Sequence, residues 1–251
     1  MEKTISQKRQ KEIMKILNTQ GDVKVADLSG LFKISQLTIR RDLDFLEKQG
    51  LLVKYYGGAR IAASADNENS ALPYKQAIAR YAASMIKDGD AVFINTSSTA
   101  ILILNYITAK NVTVITNNGN VFHTKITAPD LSIVLTGGEL RFPKSSMTGE
   151  FALNNIKRVT GDKCFLGCAG ITSSEGITTN ILPEASINET MLTRTNGPKI
   201  IVADHTKIGI HQNFLSGSAS MIDCLITDAE ADDAELEKFK EKKITCIKVA
   251  S

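Results

Sequence analysis

Apolar residues recur along this chain in two different rhythms. Between Ser6 and Gln49 the spacing is helical. Ile13, Ile16 and Leu17 recur before a Gly21-Asp22 stop, Val25 to Phe32 forms a second short stretch, and Ile39, Leu43 and Leu46 make one stripe on a third. Ser35 is the natural N-cap of that third helix, since its hydroxyl can accept from a first-turn amide. Gly50 to Gly58 then reads as a strand, a tight turn and a return, the outline of a wing.

From Lys75 onward, short continuous apolar runs replace the stripes. Ala91–Ile94, Val112–Ile115, Ser132–Leu135, Lys163–Leu166, Ile200–Ala203, Cys224–Ile226 and Ile244–Val249 read as strands buried on both faces. Helices are predicted between them over about 75–87, 99–106, 184–195 and 232–242. This alternation predicts a mostly parallel sheet covered by helices. The expected fold is α/β: an N-terminal winged helix-turn-helix domain (1–60) plus a larger α/β domain (75–251) with a mostly parallel, Rossmann-like sheet. Residues 61–74, small and polar up to Pro73, read as a linker.

Composition sharpens the division. The net charge of +3 is uneven: residues 1–60 hold 12 Lys and Arg against 7 Asp and Glu, leaving 18 and 20 for the rest. A basic head on a mildly acidic body suits a polyanion partner for the head alone. Cys164, Cys168, Cys224 and Cys246 form no C-x-x-C pair, so no disulfide framework, metal or cofactor is expected. Without a long apolar run or a leader-like N-terminus, a cytoplasmic protein with no membrane partner is expected.

The third helix carries the first candidate chemistry. Leu37 and Arg41 point away from its apolar stripe, with Thr38, Arg40 and Asp44 on the flanks. Two arginines so near a helix N-terminus oppose the macrodipole, but a DNA major groove would use them, through guanine O6 and N7 or phosphates. Leu37 could touch a thymine methyl and Gln36 could read adenine. Ser35 and the free first-turn amides suit a phosphate. Lys54 and Tyr55 or Tyr56, on the wing, are candidate backbone contacts. A solvated basic face on an ordinary three-helix unit is the competing reading.

The second candidate site is an edge. Asn95–Thr99, Thr116–Gly119, Thr136–Glu139, Gly167–Gly170 and Asp204–Lys207 each follow a predicted strand. Hydroxyls, glycine turns, free amides and one lysine on one sheet edge describe a pocket for a phosphate with a polar tail. Any single one of these loops reads equally well as an ordinary turn.

Both halves resemble one family. The run Ser35-Gln36-Leu37-Thr38-Ile39-Arg40-Arg41-Asp42-Leu43, with Arg9, Ile13 and Leu17 upstream and Gly57-Gly58-Ala59 downstream, closely resembles the winged helix-turn-helix of the DeoR family of bacterial regulators. Downstream, Lys75-x-x-Ile78-Ala79, Val114-x-Thr116-Asn117, Gly137-Gly138, Phe165-Leu166-Gly167, Gly176-x-Thr178 and Asp204-x-Thr206-Lys207-x-Gly209 stand in the family's order. The resemblance implies an effector and oligomerisation domain similar to ribose-5-phosphate isomerases and CoA transferases. It implies a repressor of a carbohydrate-utilisation operon that binds double-stranded operator DNA as a dimer or tetramer. It also implies a phosphorylated sugar or related effector, whose phosphate would be held by Thr96, Ser97, Ser98, Thr99 and Lys207. Asn117, Gly138 and Glu139 would shape the rest of the site, and Gly167, Thr178 and Asp204 come with the matched motifs.

The chain departs from the family at several points. Lys33 stands where Gly or Asn is usual in the turn, and Tyr56 where His is usual. The loop that usually reads Asp-Ser-Gly-Thr-Thr is Asn95-Thr96-Ser97-Ser98-Thr99 here, which removes one carboxylate and gives Ser98 a side chain where backbone would approach the ligand, and Asn188 replaces a lysine. An isomerase-type acid loop after the fourth strand is missing, so a regulator is expected. A sugar-phosphate isomerase or transferase with a DNA-binding appendage is the alternative, and a metabolite-blind architectural DNA binder a third.

Overall fold

The computed structural model describes residues 2–20, 22–48, 51–55, 57–61, 71–124, 126, 128, 130–142 and 144–250. The chain divides into two compact units, Met1–Leu72 and Pro73–Ser251. Most of the expected linker, residues 62–70, lies outside the described residues, as does Tyr56.

The first unit comprises α1 (Glu2–Gln20), β1 (Asp22–Lys24), α2 (Val25–Phe32), α3 (Gln36–Lys48), β2 (Leu52–Tyr55) and β3 (Gly58–Ile61). Ile13, Leu17, Leu28, Ile39, Leu43, Leu46 and Leu52 close a single core, the stripes of the three helices meeting as their spacing requires. Lys33 links α2 to α3 in the left-handed conformation, at φ 53° and ψ 43°. For a residue with a Cβ this costs about 1 kcal/mol, which the packed core offsets. The wing is a three-stranded antiparallel sheet in the order β1-β3-β2. Gly58 is required there, because a Cβ would lie 2.4 Å from the Val23 carbonyl and 2.5 Å from the Tyr55 ring.

The second unit begins with α4 (Leu72–Ser84) and β4 (Ala91–Ile94), then β5 (Thr113–Thr116), β6 (Ser132–Leu135), β7 (Glu139–Arg141) and β8 (Ser146–Thr148). It continues through α5 (Glu150–Lys157), β9 (Lys163–Leu166), β10 (Gly170–Thr172), β11 (Gly176–Thr179) and α6 (Leu182–Thr193). It ends with β12 (Lys199–Val202), β13 (Phe214–Ser218), β14 (Cys224–Asp228), α7 (Asp233–Glu241) and β15 (Thr245–Val249). Seven strands form one sheet in the order β15-β14-β12-β9-β4-β5-β6, every neighbouring pair parallel. Alternate residues feed two cores. Val92, Ile94, Val114 and Phe165 face α4, while Phe93, Ile115, Cys164 and Leu166 face α5 and α6.

From β4 the chain winds outward through β5 and β6, then restarts at β9 on the other flank of β4. The carboxyl ends of β4 and β9 are therefore the switch point of the sheet, the position at which ligand crevices lie in sheets of this kind. Two smaller antiparallel pieces, β7-β8 and β10-β11-β13, lie outside the main sheet. The stretch expected as a helix over 99–106 is instead a 3-10 turn over Ala100–Asn105, whose side chains Ala100, Ile101, Ile103 and Leu104 are all buried.

Candidate functional site

In the first unit, α3 has one face fastened and one face free. The Thr38 amide donates to Ser35 Oγ at 3.2 Å, so Ser35 does cap the helix. Asp42 is buried and receives Arg9 Nε at 2.5 Å, Ser6 Oγ at 3.1 Å and Gln10 Nε2 at 3.1 Å, all from α1. Asp42 had no candidate role in the sequence reading, though Arg9 and Asp42 stood together in the matched pattern. On the opposite face Gln36, Leu37, Arg40 and Arg41 are exposed, and neither arginine has an acidic partner among the described residues. A charged pair held out from a helix with no partner is free to meet a polyanion.

The wing is bolted to this helix. Lys54 Nζ pairs with Asp44 and, at 3.3 Å, with Glu47, and its backbone N donates to Glu47 Oε1 at 2.9 Å. The hydrogen bonds to Asp44 and then Glu47 hold the Lys54 amine above its ordinary range. Its charge is thus countered by two acids of α3. Tyr55 Oη donates to Asp22 Oδ2 at 2.6 Å, tying β2 to β1.

In the second unit, the carboxyl ends of β4 and β9 are stitched by Asn95. Its Nδ2 donates to the Gly167 carbonyl at 2.8 Å, and its Oδ1 accepts from the Gly167 amide at 2.9 Å. The same Nδ2 reaches Asn188 Oδ1 of α6 at 2.9 Å. Two departures from the family pattern are therefore one contact: a neutral carboxamide pair, buried, stands where the resemblance implied an acid and a lysine. Gly167 must lack a side chain, because a Cβ would lie 1.9 Å from Ser97 Oγ.

Ser97 Oγ accepts from the Thr99 and Ala100 amides, at 3.2 Å each, and so shapes the loop after β4. Thr96 donates to the Asn117 carbonyl at 3.2 Å, joining the β4 and β5 loops, and Asn117 Nδ2 donates to the Met147 carbonyl at 3.1 Å. Gly138, at φ +105°, lets the backbone pass where a Cβ would meet the Thr148 carbonyl at 2.4 Å. Exposed Ser98 receives buried Lys75 Nζ at 3.1 Å. After β12, buried Asp204 caps the short turn His205–Lys207 by accepting from the Thr206 amide at 3.1 Å. The Lys207 side chain makes no hydrogen bond or ion pair to a described residue, its backbone amide donating to the Asp204 carbonyl at 3.0 Å. Burial pushes the neighbouring Cys168 thiol up to about 12, despite the opposing charge of Lys207.

Two expected site residues have protein partners of their own. Glu139 is exposed on the β7-β8 hairpin and pairs with Arg141 at 3.6 Å, because both lie on one face of β7. Thr178 is buried, but its hydroxyl donates to the Gly170 carbonyl at 3.2 Å and accepts from Gln212 N at 3.0 Å, so both capacities are used inside the small sheet. Conversely, Lys75, Tyr74, Asn188 and Glu184 approach this edge without having been candidates. Tyr74 rests edge-on against His205, ring centroids 5.2 Å apart, and His205 Nδ1 lies 2.9 Å from Asp228 Oδ1. Among the described residues no helix is long and apolar enough to cross a membrane, and no His, Cys, Asp and Glu cluster could hold a metal.

The same division appears in comparisons with known proteins. The DeoR-like helix-turn-helix domain matches residues 9–65, and the DeoR C terminal sensor domain matches residues 70–229. The HTH-type transcriptional regulator GolR of Listeria innocua is 31% identical over 93% of this chain and 94% of its own length. The glycerol-3-phosphate regulon repressor of Escherichia coli K12 is 32% identical, over 88% and 90% of the two chains. The putative aga operon transcriptional repressor of Escherichia coli O157:H7 is 31% identical, over 98% and 95%. With sensor and DNA-binding models matched in order, and full-length relatives above 30% identity, this chain belongs to the DeoR family of transcriptional regulators.

Proposed function

We propose that this chain represses a carbohydrate-utilisation operon. It binds double-stranded operator DNA through α3 and the wing as a homo-oligomer, and a phosphorylated sugar or close relative sets its affinity for that DNA. The observation that carries the reading is the free pair Arg40 and Arg41 on a helix whose other face is fastened by Asp42. Leu37, 58% exposed beside them, gives the same face an apolar contact for a thymine methyl. Gln36, Thr38 and the Ser35 cap complete the surface, with Tyr55 at the wing. Lys54, already countered by two acids, contributes less to phosphate binding than its charge suggests.

The effector's phosphate sits in the crevice beyond β4 and β9, on Ser97, Ser98, Thr99 and unpaired Lys207, with Thr96, Asn117, Gly138 and Gly167 holding the loops in place. The named relatives regulate glycerol-3-phosphate and aga genes, which supports a phosphorylated carbohydrate as the signal. The pocket binds without turnover. A phosphosugar conversion that disappeared in Lys207→Ala would overturn that part.

Operator binding measured with and without a panel of sugar phosphates tests the whole. Arg40→Ala or Arg41→Ala is expected to cost ~1–3 kcal/mol and relax sequence preference. Equal affinity of the wild type for operator and random DNA would end the proposal.

A further inference from the structure

We infer that Glu184, with Asn117, Ser146 and Thr148, forms a subsite that reads hydroxyl groups of the effector; this rests on the proposed phosphate position in the neighbouring loop. Seven buried side-chain oxygens among the described residues lack a hydrogen-bond partner, and four of them are Asn117 Oδ1, Ser146 Oγ, Thr148 Oγ1 and Glu184 Oε1. The four side chains are each at most 6% exposed.

The fold places them on adjoining segments, the loop after β5, strand β8 and the first turn of α6. Asn117 pairs with β8 through its backbone and side chain, the Met147 amide donating to its carbonyl at 2.8 Å. Ser146 and Thr148 flank Met147 on one face of β8, and α6 packs against that strand. Glu184 is anchored by its other oxygen, 3.6 Å from Lys144 Nζ, two residues before Ser146, and 3.5 Å from Thr179 Oγ1. An ionised carboxylate and an amide oxygen accept only, so this cluster calls for donors. Hydroxyls of a polyol supply donors, and can accept in turn from Ser146 and Thr148.

Its position matches a phosphorylated chain. Glu184 and Asn188 are one turn apart on the buried face of α6, hence about 6 Å apart. Asn188 bonds Asn95, where the 95–99 loop begins. The hydroxyl subsite therefore lies one helical turn from the phosphate loop, a span that a short carbon chain covers.

The test is titration calorimetry on the full chain with inorganic phosphate and with pentose and hexose phosphates, each beside its deoxy analogue. Wild type is expected to prefer one hydroxylated ester over its deoxy analogue and over inorganic phosphate by at least about tenfold. Glu184→Gln is expected to lose most of that preference while binding inorganic phosphate as before, and Thr148→Val to lose a smaller part. Thermal melts confirm folding, and Thr148→Val carries the test if Glu184→Gln does not fold. If the folded variants keep the wild-type preference, the cluster holds only water and the subsite is overturned, the phosphate reading standing. If wild type binds neither esters nor phosphate, both fall.

Discussion

The carboxamide pair Asn95–Asn188 shows how one side chain can tie two strand ends and a helix together. Asn95 is both donor and acceptor to Gly167, which a carboxylate cannot be. Asn95→Asp would set a buried charge against the Gly167 carbonyl and Asn188 Oδ1. A destabilisation of ~2–4 kcal/mol is expected, within the range for an unpaired buried charge. Asn188→Lys added to it should recover part of the loss, and a double-mutant cycle in denaturant measures the coupling. A zero coupling energy would separate the two positions. Two thiols, Cys164 buried and Cys168 half-buried, give a pH prediction at the same scale. Burial raises Cys164 to about 11 and Cys168 to about 12, above their ordinary 9.0. Unfolded thiols therefore ionise first, and the folded state binds more protons between the two values. Stability is expected to fall as pH rises above about 9, until the folded thiols also ionise. Denaturant midpoints across that range should decline less steeply for Cys168→Ala than for wild type.

At the scale of elements, the apolar rhythm carried most of the fold. The Val and Ile runs became the parallel strands, and Ile39, Leu43 and Leu46 became the buried stripe of α3. What escaped was short or not periodic. β1 offers one buried residue between two exposed ones, and β7 is exposed throughout, so neither leaves a pattern to read. The 3-10 turn at Ala100–Asn105 has the length of a short helix, and its apolar run, buried at Ala100, Ile101, Ile103 and Leu104 and partly buried at Leu102, leaves no single stripe that distinguishes the two. The tie between α1 and α3 was present in the letters Arg9 and Asp42 but not in any rhythm. Breaking it is a test of what orients α3. Asp42→Ala leaves Arg9 uncompensated and is expected to destabilise the first unit by ~3–5 kcal/mol. Operator affinity should be lost together with the unit's thermal transition, whereas Arg41→Ala should weaken DNA binding with the transition unmoved.

For the whole molecule, the residues that sequence could not assemble are those that join distant loops at the crevice. Lys75 and Ser98 are 23 positions apart, and Asn95 and Asn188 are 93 apart. Their meeting depends on the reversal of winding at β4, which no local pattern records. That reversal also places the first turn of α4 over two loops at once: Lys75 bonds Ser98 after β4, and Tyr74 rests on His205 after β12. Since α4 starts where the first unit ends, at Leu72, its first turn is the covalent link between the two units, and under the proposed function the signal of effector binding would pass through it. A ligand shifts operator affinity only through its differential affinity for the two states, so a residue that reports occupancy can be removed without removing binding. Tyr74→Ala is expected to leave the affinity for the effective sugar phosphate within about threefold of wild type. The ratio of operator affinities with and without that ligand should meanwhile move toward one, since the coupling free energy between sites is lost. Both quantities come from the same preparation, by calorimetry and by titration of labelled operator. An unchanged ratio in a folded variant would mean that the signal leaves the pocket by another path.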